Sequence, residues 1–182
     1  MGKRNEIYLD IETNGYDLVT VIGFDSDETG PVQLYGKDVT RKKLLASLPA
    51  SGVMYTFNGE KFDIPKIAAA TGVDLLERYR SCDLMRVGWA HGLKGGQKAL
   101  EDELGFEREL PGLSGLSAIE FWKRYTKGDQ EALDDLLKYN AEDLAGMRFL
   151  KAHFESDCCL SSSAEHSPRR RQLAAARGGR SR

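Results

Sequence analysis

Apolar and polar positions alternate with a period of two through the opening third of the chain and recur with a helical period through the closing third. Residues 6–12, EIYLDIE, read as a first strand, closed by the turn signal Thr13-Asn14-Gly15. Residues 18–25, LVTVIGFD, are apolar enough for a central strand. After the turn DSDETGP, residues 32–36, VQLYG, make a third, so the chain opens as an antiparallel meander. A helix through TRKKLLASL follows, capped by Asp38 or Thr40 and ended by Pro49 and Gly52. Residues 53–57, VMYTF, then form a buried strand whose place after a helix predicts parallel pairing with the first. A short helix is predicted near 62–70, its start favoured by Pro65 and its end marked by Gly72, and residues 79–84, YRSCDL, form a weaker strand. The remainder reads as helices around 84–91, 97–104, 116–126 and 130–154. In the last of these Leu133, Leu136, Leu137, Leu144, Met147 and Leu150 make an apolar stripe that can lie against a sheet. The expected fold is α/β: a central mixed β-sheet, three antiparallel strands followed by parallel ones, flanked by α-helices.

Length and composition keep that picture to one domain over residues 1–155, followed by a separate tail. Residues 156–182 are rich in Ser, Arg and Gly with little to bury, and are expected to be disordered. Charge divides at the same place. The overall balance of −2 is the sum of −6 over residues 1–155 and +4 over 156–182. An acidic body can still bind a polyanion where its carboxylates are concentrated around cations. No window approaches the roughly 20 apolar residues of a membrane span, and the N-terminal residues pass straight into a strand pattern, so a cytoplasmic protein without membrane association is expected. Cys82, Cys158 and Cys159 suggest neither a disulfide framework nor a zinc site, and His91, His153 and His166 are scattered.

Three short segments carry candidate chemistry. Asp10 and Glu12 lie two apart on the first strand and project from one face, where they can share a cation; the plainer alternative is an exposed strand face. In TFNGEKFDIPKI, residues 56–67, Asp63 falls at the mouth of a helix beyond a strand end, a place where sites assemble in α/β sheets. It can equally be a helix-start residue bonded to free backbone N–H groups, and Asn58 can simply serve the turn. In YNAEDLAGM, residues 139–147, a spacing of four sets Tyr139 and Asp143 on one helical face, while Glu142, about 100° round the helix, is expected to be a solvated surface charge. Tyr139 alone would read as a core residue.

Taken in order, YLDIETNG, FNGEKFDIP and YNAEDL resemble the three motifs of the DEDD exonucleases of the ribonuclease H-like superfamily, and of their DEDDy branch in particular. The stretch LPGLSGLSAIEFWKRYTKGDQEALDDLLKYNAEDL also resembles the YprB-like ribonuclease H-like domain family, and the likeness covers about residues 5–152. The resemblance implies a ribonuclease H-like fold and a metal-dependent 3′-5′ exonuclease that hydrolyses phosphodiester bonds by a two-metal-ion mechanism, releasing nucleoside 5′-monophosphates. It implies that Asp10, Glu12, Asp63 and Asp143 hold two divalent ions, Mg²⁺ or Mn²⁺, that Tyr139 positions the attacking water, and that Asn58 is a supporting residue. Lys138 stands where the DEDDh branch would have histidine. The expected partner is nucleic acid, a single-stranded DNA or RNA 3′ end. Hard oxygen ligands suit such ions without histidine or cysteine. Two rival functions are a catalytically silent ribonuclease H-like module that binds nucleic acid or serves as a scaffold, using the Arg-rich tail, and a metal-dependent hydrolase of a nucleotide or other small phosphate ester.

Overall fold

The alternation at the start of the chain becomes a strand covered on both faces. In a computed structural model, which describes residues 5–154, β1 (Glu6–Thr13) sends Ile7, Leu9 and Ile11 into one apolar layer and Tyr8 into the other, so that Asp10 and Glu12 share the face of Tyr8. β2 (Val19–Ser26) pairs antiparallel with β1, and β3 (Gly30–Tyr35) antiparallel with β2. On the other side of β1 lie β4 (Val53–Thr56) and then β5 (Arg80–Asp83), both parallel, giving the order β3-β2-β1-β4-β5. The expected mixed sheet is therefore present, with β1 at its centre.

α1 (Arg41–Ser47) and α2 (Asp63–Thr71) cover one face, where Leu44, Leu48, Ile64 and Ile67 pack against Ile7, Leu9 and Ile22. Of the two capping candidates Thr40 caps α1, its hydroxyl accepting from Lys43 N at 3.3 Å. Asp38 pairs instead with Lys43 Nζ at 2.8 Å and closes a 3₁₀ turn over Gly36–Asp38, a feature that the apolar pattern does not anticipate. Gly72 ends α2 at φ 68°, a left-handed conformation that a Cβ would oppose.

The other face carries α3 (Leu84–Ala90), α4 (Gln97–Leu104), α5 (Gly115–Tyr125) and α6 (Gln130–His153). α6 uses its apolar stripe as predicted. Leu144, Met147 and Leu150 pack with Tyr8, Tyr55 and Leu84, while Leu136 and Tyr139 pack with Val21 and Ala118. Each such side chain contributes about 1.5–3 kcal/mol on burial, which fixes both the position and the rotation of α6 over β1. Among the described residues no helix is long and apolar enough to cross a membrane. The expected boundary at 155/156 and the tail beyond it lie outside the described residues.

Candidate metal centre

β1 and α6 meet where each carries its acids. Asp10, Glu12 and Asp143 each offer a carboxylate oxygen, and these atoms lie within 4.8 Å of one another although Asp143 comes from the other end of the fold. Asp63 reaches the same region from the opposite layer. Strand β4 pairs with β1 only as far as Tyr8↔Tyr55, and the Ile11 N–H beyond that point donates to Asp63 Oδ1 at 3.1 Å. Asp63 is the first residue of α2, yet its carboxylate turns to β1 rather than capping its own helix. A cleft of about 440 Å³ opens over the cluster, lined by Asp10, Glu12, Tyr139 and Asp143 together with Tyr16, Phe62 and Lys66; Asp63 does not line it.

The electrostatics follow from crowding acids away from water. Desolvation, then repulsion from Glu12, Asp143 and Asp63, pushes the Asp10 carboxyl well above its usual range. Glu12 is raised likewise by desolvation and by Asp143 and Asp63. Asp63 is pushed up to about 7, mainly by desolvation, against the lowering effect of its backbone hydrogen bonds. Asp143 is raised by desolvation, while Arg108 pulls it back. Such a group of like charges needs protons or cations to persist. An all-oxygen donor set, with no histidine or cysteine among the residues lining the cleft, fits hard divalent ions.

Two cations of the chain already stand beside the acids, and neither was singled out by the sequence reading. Arg108, with a side chain only 7 % exposed, donates from Nη2 to Asp143 Oδ1 at 2.6 Å and from Nε to Glu101 Oε2 at 2.6 Å; Glu101 is fully buried. Lys98 Nζ donates to Tyr139 Oη at 2.7 Å and to Leu113 O at 2.5 Å. Because the lysine donates, the phenol oxygen accepts, and the phenol keeps its own proton for another acceptor. Burial and then the Asp143, Glu12 and Asp10 carboxylates push the Tyr139 phenol up from its ordinary value, so it is a hydrogen-bond donor and not a base at neutral pH.

Asn58 is not among the residues lining the cleft; it stands at the turn that follows β4, with the left-handed φ of 61° that asparagine tolerates. Its backbone N–H donates to Asp83 Oδ1 at 2.8 Å, and Asp83 also caps α3 through Met85 N. Glu142 departs from expectation. It is not a solvated charge: half-buried, its Oε1 accepts from Glu109 N at 2.6 Å and Leu110 N at 2.9 Å, tying the loop that carries Arg108 to α6. A helical wheel gives the angle of Glu142 but not the loop that covers it. His91 stacks on Phe154 with ring centroids 4.8 Å apart, His153 meets Phe149 at a tilt and Phe154 edge-on, and Cys82 is half-buried against the apolar layer. His166, Cys158 and Cys159 lie outside the described residues.

Comparison with known proteins agrees with this architecture. A family model described as the RNase_H superfamily matches residues 7–155. No curated protein matches the sequence. Among solved structures, the family B DNA polymerase from the hyperthermophilic archaeon Pyrobaculum calidifontis is similar with a TM-score of 0.67 at 15 % identity. That match covers 85 % of this chain and 25 % of the polymerase chain, so the present chain spans about a quarter of that protein's length. At this identity the likeness is one of fold.

Proposed function

We propose, from the premise that the chain belongs to the RNase_H superfamily, that it is a metal-dependent nuclease acting as a 3′-5′ exonuclease of the DEDDy type on single-stranded DNA or RNA. The observation that carries the reading is the meeting of Asp10 and Glu12 with Asp143, their oxygens within 4.8 Å, beside a buried Asp63. Two like charges on one face of an apolar strand, joined by a third from a distant helix, destabilise a fold unless protons or cations are held there, and at neutral pH divalent ions fill that need. Asp10, Glu12, Asp63 and Asp143 are assigned as the residues that hold two Mg²⁺ or Mn²⁺ ions. Two such ions would neutralise phosphoryl charge, make a bound water more acidic and stabilise the leaving oxygen.

The chain's own groups then have distinct tasks. Tyr139, fixed by Lys98 through its oxygen, donates a hydrogen bond to the attacking water and orients it toward the phosphorus. The water oxygen bonds to phosphorus and gives up a proton to solvent, the bond from phosphorus to the 3′ oxygen of the preceding nucleotide breaks, and that oxygen takes up a proton from solvent, releasing a nucleoside 5′-monophosphate. Tyr16 and Phe62, exposed at the cleft, offer flat surfaces on which the bases of a single strand can stack, and Lys66 beside them offers a phosphate contact.

The test is degradation of a 5′-labelled single strand in Mn²⁺. The expected result is a ladder of shortened products with 5′-monophosphates released, stopped by a chelator and abolished in Asp10→Asn and Asp143→Asn, with Tyr139→Phe retaining part of the rate. Undiminished activity in either aspartate variant would refute the site assignment. Binding of the strand with no turnover would favour the silent-module reading, and hydrolysis confined to mononucleotide esters would favour the small-substrate one.

A further inference from the structure

The row of residues that crosses the sheet at Asp10 contains a gap. The β1–β2 register places Gly23 opposite Asp10, and the β2–β3 register places Gln33 opposite Gly23, so the three lie side by side. A Cβ at Gly23 would stand 1.9 Å from Asn140 Oδ1. Asn140, fully buried on α6, occupies with its carboxamide the space that this glycine leaves.

The hydrogen bonds through the carboxamide have a fixed direction. Gln33 Nε2 donates to Leu137 O at 2.7 Å and to Asn140 Oδ1 at 2.9 Å, and Asn140 Nδ2 donates to Asp10 Oδ2 at 2.8 Å. A backbone carbonyl can only accept, so Gln33 must present nitrogen to Leu137. The same nitrogen meets Asn140, which must therefore present oxygen toward β3. That leaves the Asn140 NH₂ group to face Asp10. The polarity at Asp10 is thus set from the edge strand, through two amides, by one carbonyl of α6.

We propose that Asn140 is a positioning residue for Asp10, and that Gln33 fixes the orientation of its carboxamide so that a donor, not an acceptor, meets the carboxylate. The inference rests on the reading of Asp10 as a cation ligand. With Oδ2 engaged by Asn140, the carboxylate is restrained beside Glu12, where the two would hold a cation. Partners that hold ligating carboxylates commonly govern metal affinity by about 10–100-fold.

The experiment is a Mn²⁺ titration of the full chain by calorimetry, with melting temperature recorded in chelator for each variant. Asn140→Leu, close in shape but lacking the donor, is expected to raise the apparent Kd by about 10–100-fold. Gln33→Glu should do the same without touching the cluster, because a carboxylate there turns the Asn140 NH₂ toward β3 and its oxygen toward Asp10. Gln33→Leu removes the orienting donor without inverting it, and Asp10 then selects the donor face itself, so the Kd should change only by a small factor. A purely structural role would lower the melting temperature and leave the Kd of the folded protein unmoved. If Asn140→Leu fails to fold, Gln33→Glu on the partly exposed edge strand carries the test. Wild-type affinity in the folded variants, alongside lost binding in Asp10→Asn, overturns the inference and leaves the metal reading standing. Binding that is absent in the wild type, or unaltered by Asp10→Asn, overturns the metal reading and this inference with it.

Discussion

Asp63 is where the cost of assembling the acids can be read most simply. Desolvation raises its carboxyl to about 7, above the value near 4 of an aspartate in an unfolded chain. For a carboxyl whose folded value is the higher one, the folded state binds the proton more tightly than the unfolded state does. Its contribution to stability is therefore fully present below about pH 4 and is lost as pH rises through about 7. Asp10 and Glu12 shift in the same direction and add to the trend. In chelator, the melting temperature is expected to fall between pH 5 and pH 8, and Asp63→Asn should flatten that fall. Saturating Mn²⁺ should reverse it, because an ion bound only by the folded state stabilises most where the ligands are ionised. A pH profile that Asp63→Asn leaves unchanged would count against this account of the residue.

Helices α4 and α6 approach closely at Gly146, where a Cβ would stand 1.8 Å from Glu101 Oε1. Glu101 is the buried partner of Arg108, and Arg108 holds Asp143, so the interhelical spacing bears on the candidate centre. Gly146→Ala is expected to lower unfolding free energy by about 1–3 kcal/mol through overpacking, measured by urea denaturation; a variant as stable as wild type would show that the gap absorbs a methyl group. This contact also marks where legibility in the sequence stops. The strands and helices were readable because β1 alternates and α6 repeats its leucines at helical spacing, and both patterns are local. Asp10 and Glu12 on one face, and Tyr139 with Asp143 on another, follow from the same local periods. Arg108 was not readable, since nothing around it predicts that its loop folds back on α6 through Glu142. Nor was the turn of Asp63 toward Ile11, which depends on where β4 stops pairing with β1. Nor was Asn140, whose partner Asp10 is 130 positions away.

At the scale of the whole molecule, the mixed sheet puts β1 in the centre with α6 across it, and the two elements richest in candidate ligands therefore cross at one point. The same arrangement concentrates negative charge in a body whose balance is already −6 over residues 1–155. Arg108 and Lys98 offset part of it, and the rest is the share assigned to divalent ions. An acidic protein can then meet a polyanionic strand without repelling it at the cleft. The measurement that bears on this most directly is a crystal structure of the chain grown with Mn²⁺, read in anomalous difference density. Two peaks about 4 Å apart among Asp10, Glu12, Asp63 and Asp143 are predicted, both lost in Asp10→Asn crystals. Density there without ordered Mn²⁺, or Mn²⁺ bound only elsewhere on the surface, would contradict the account.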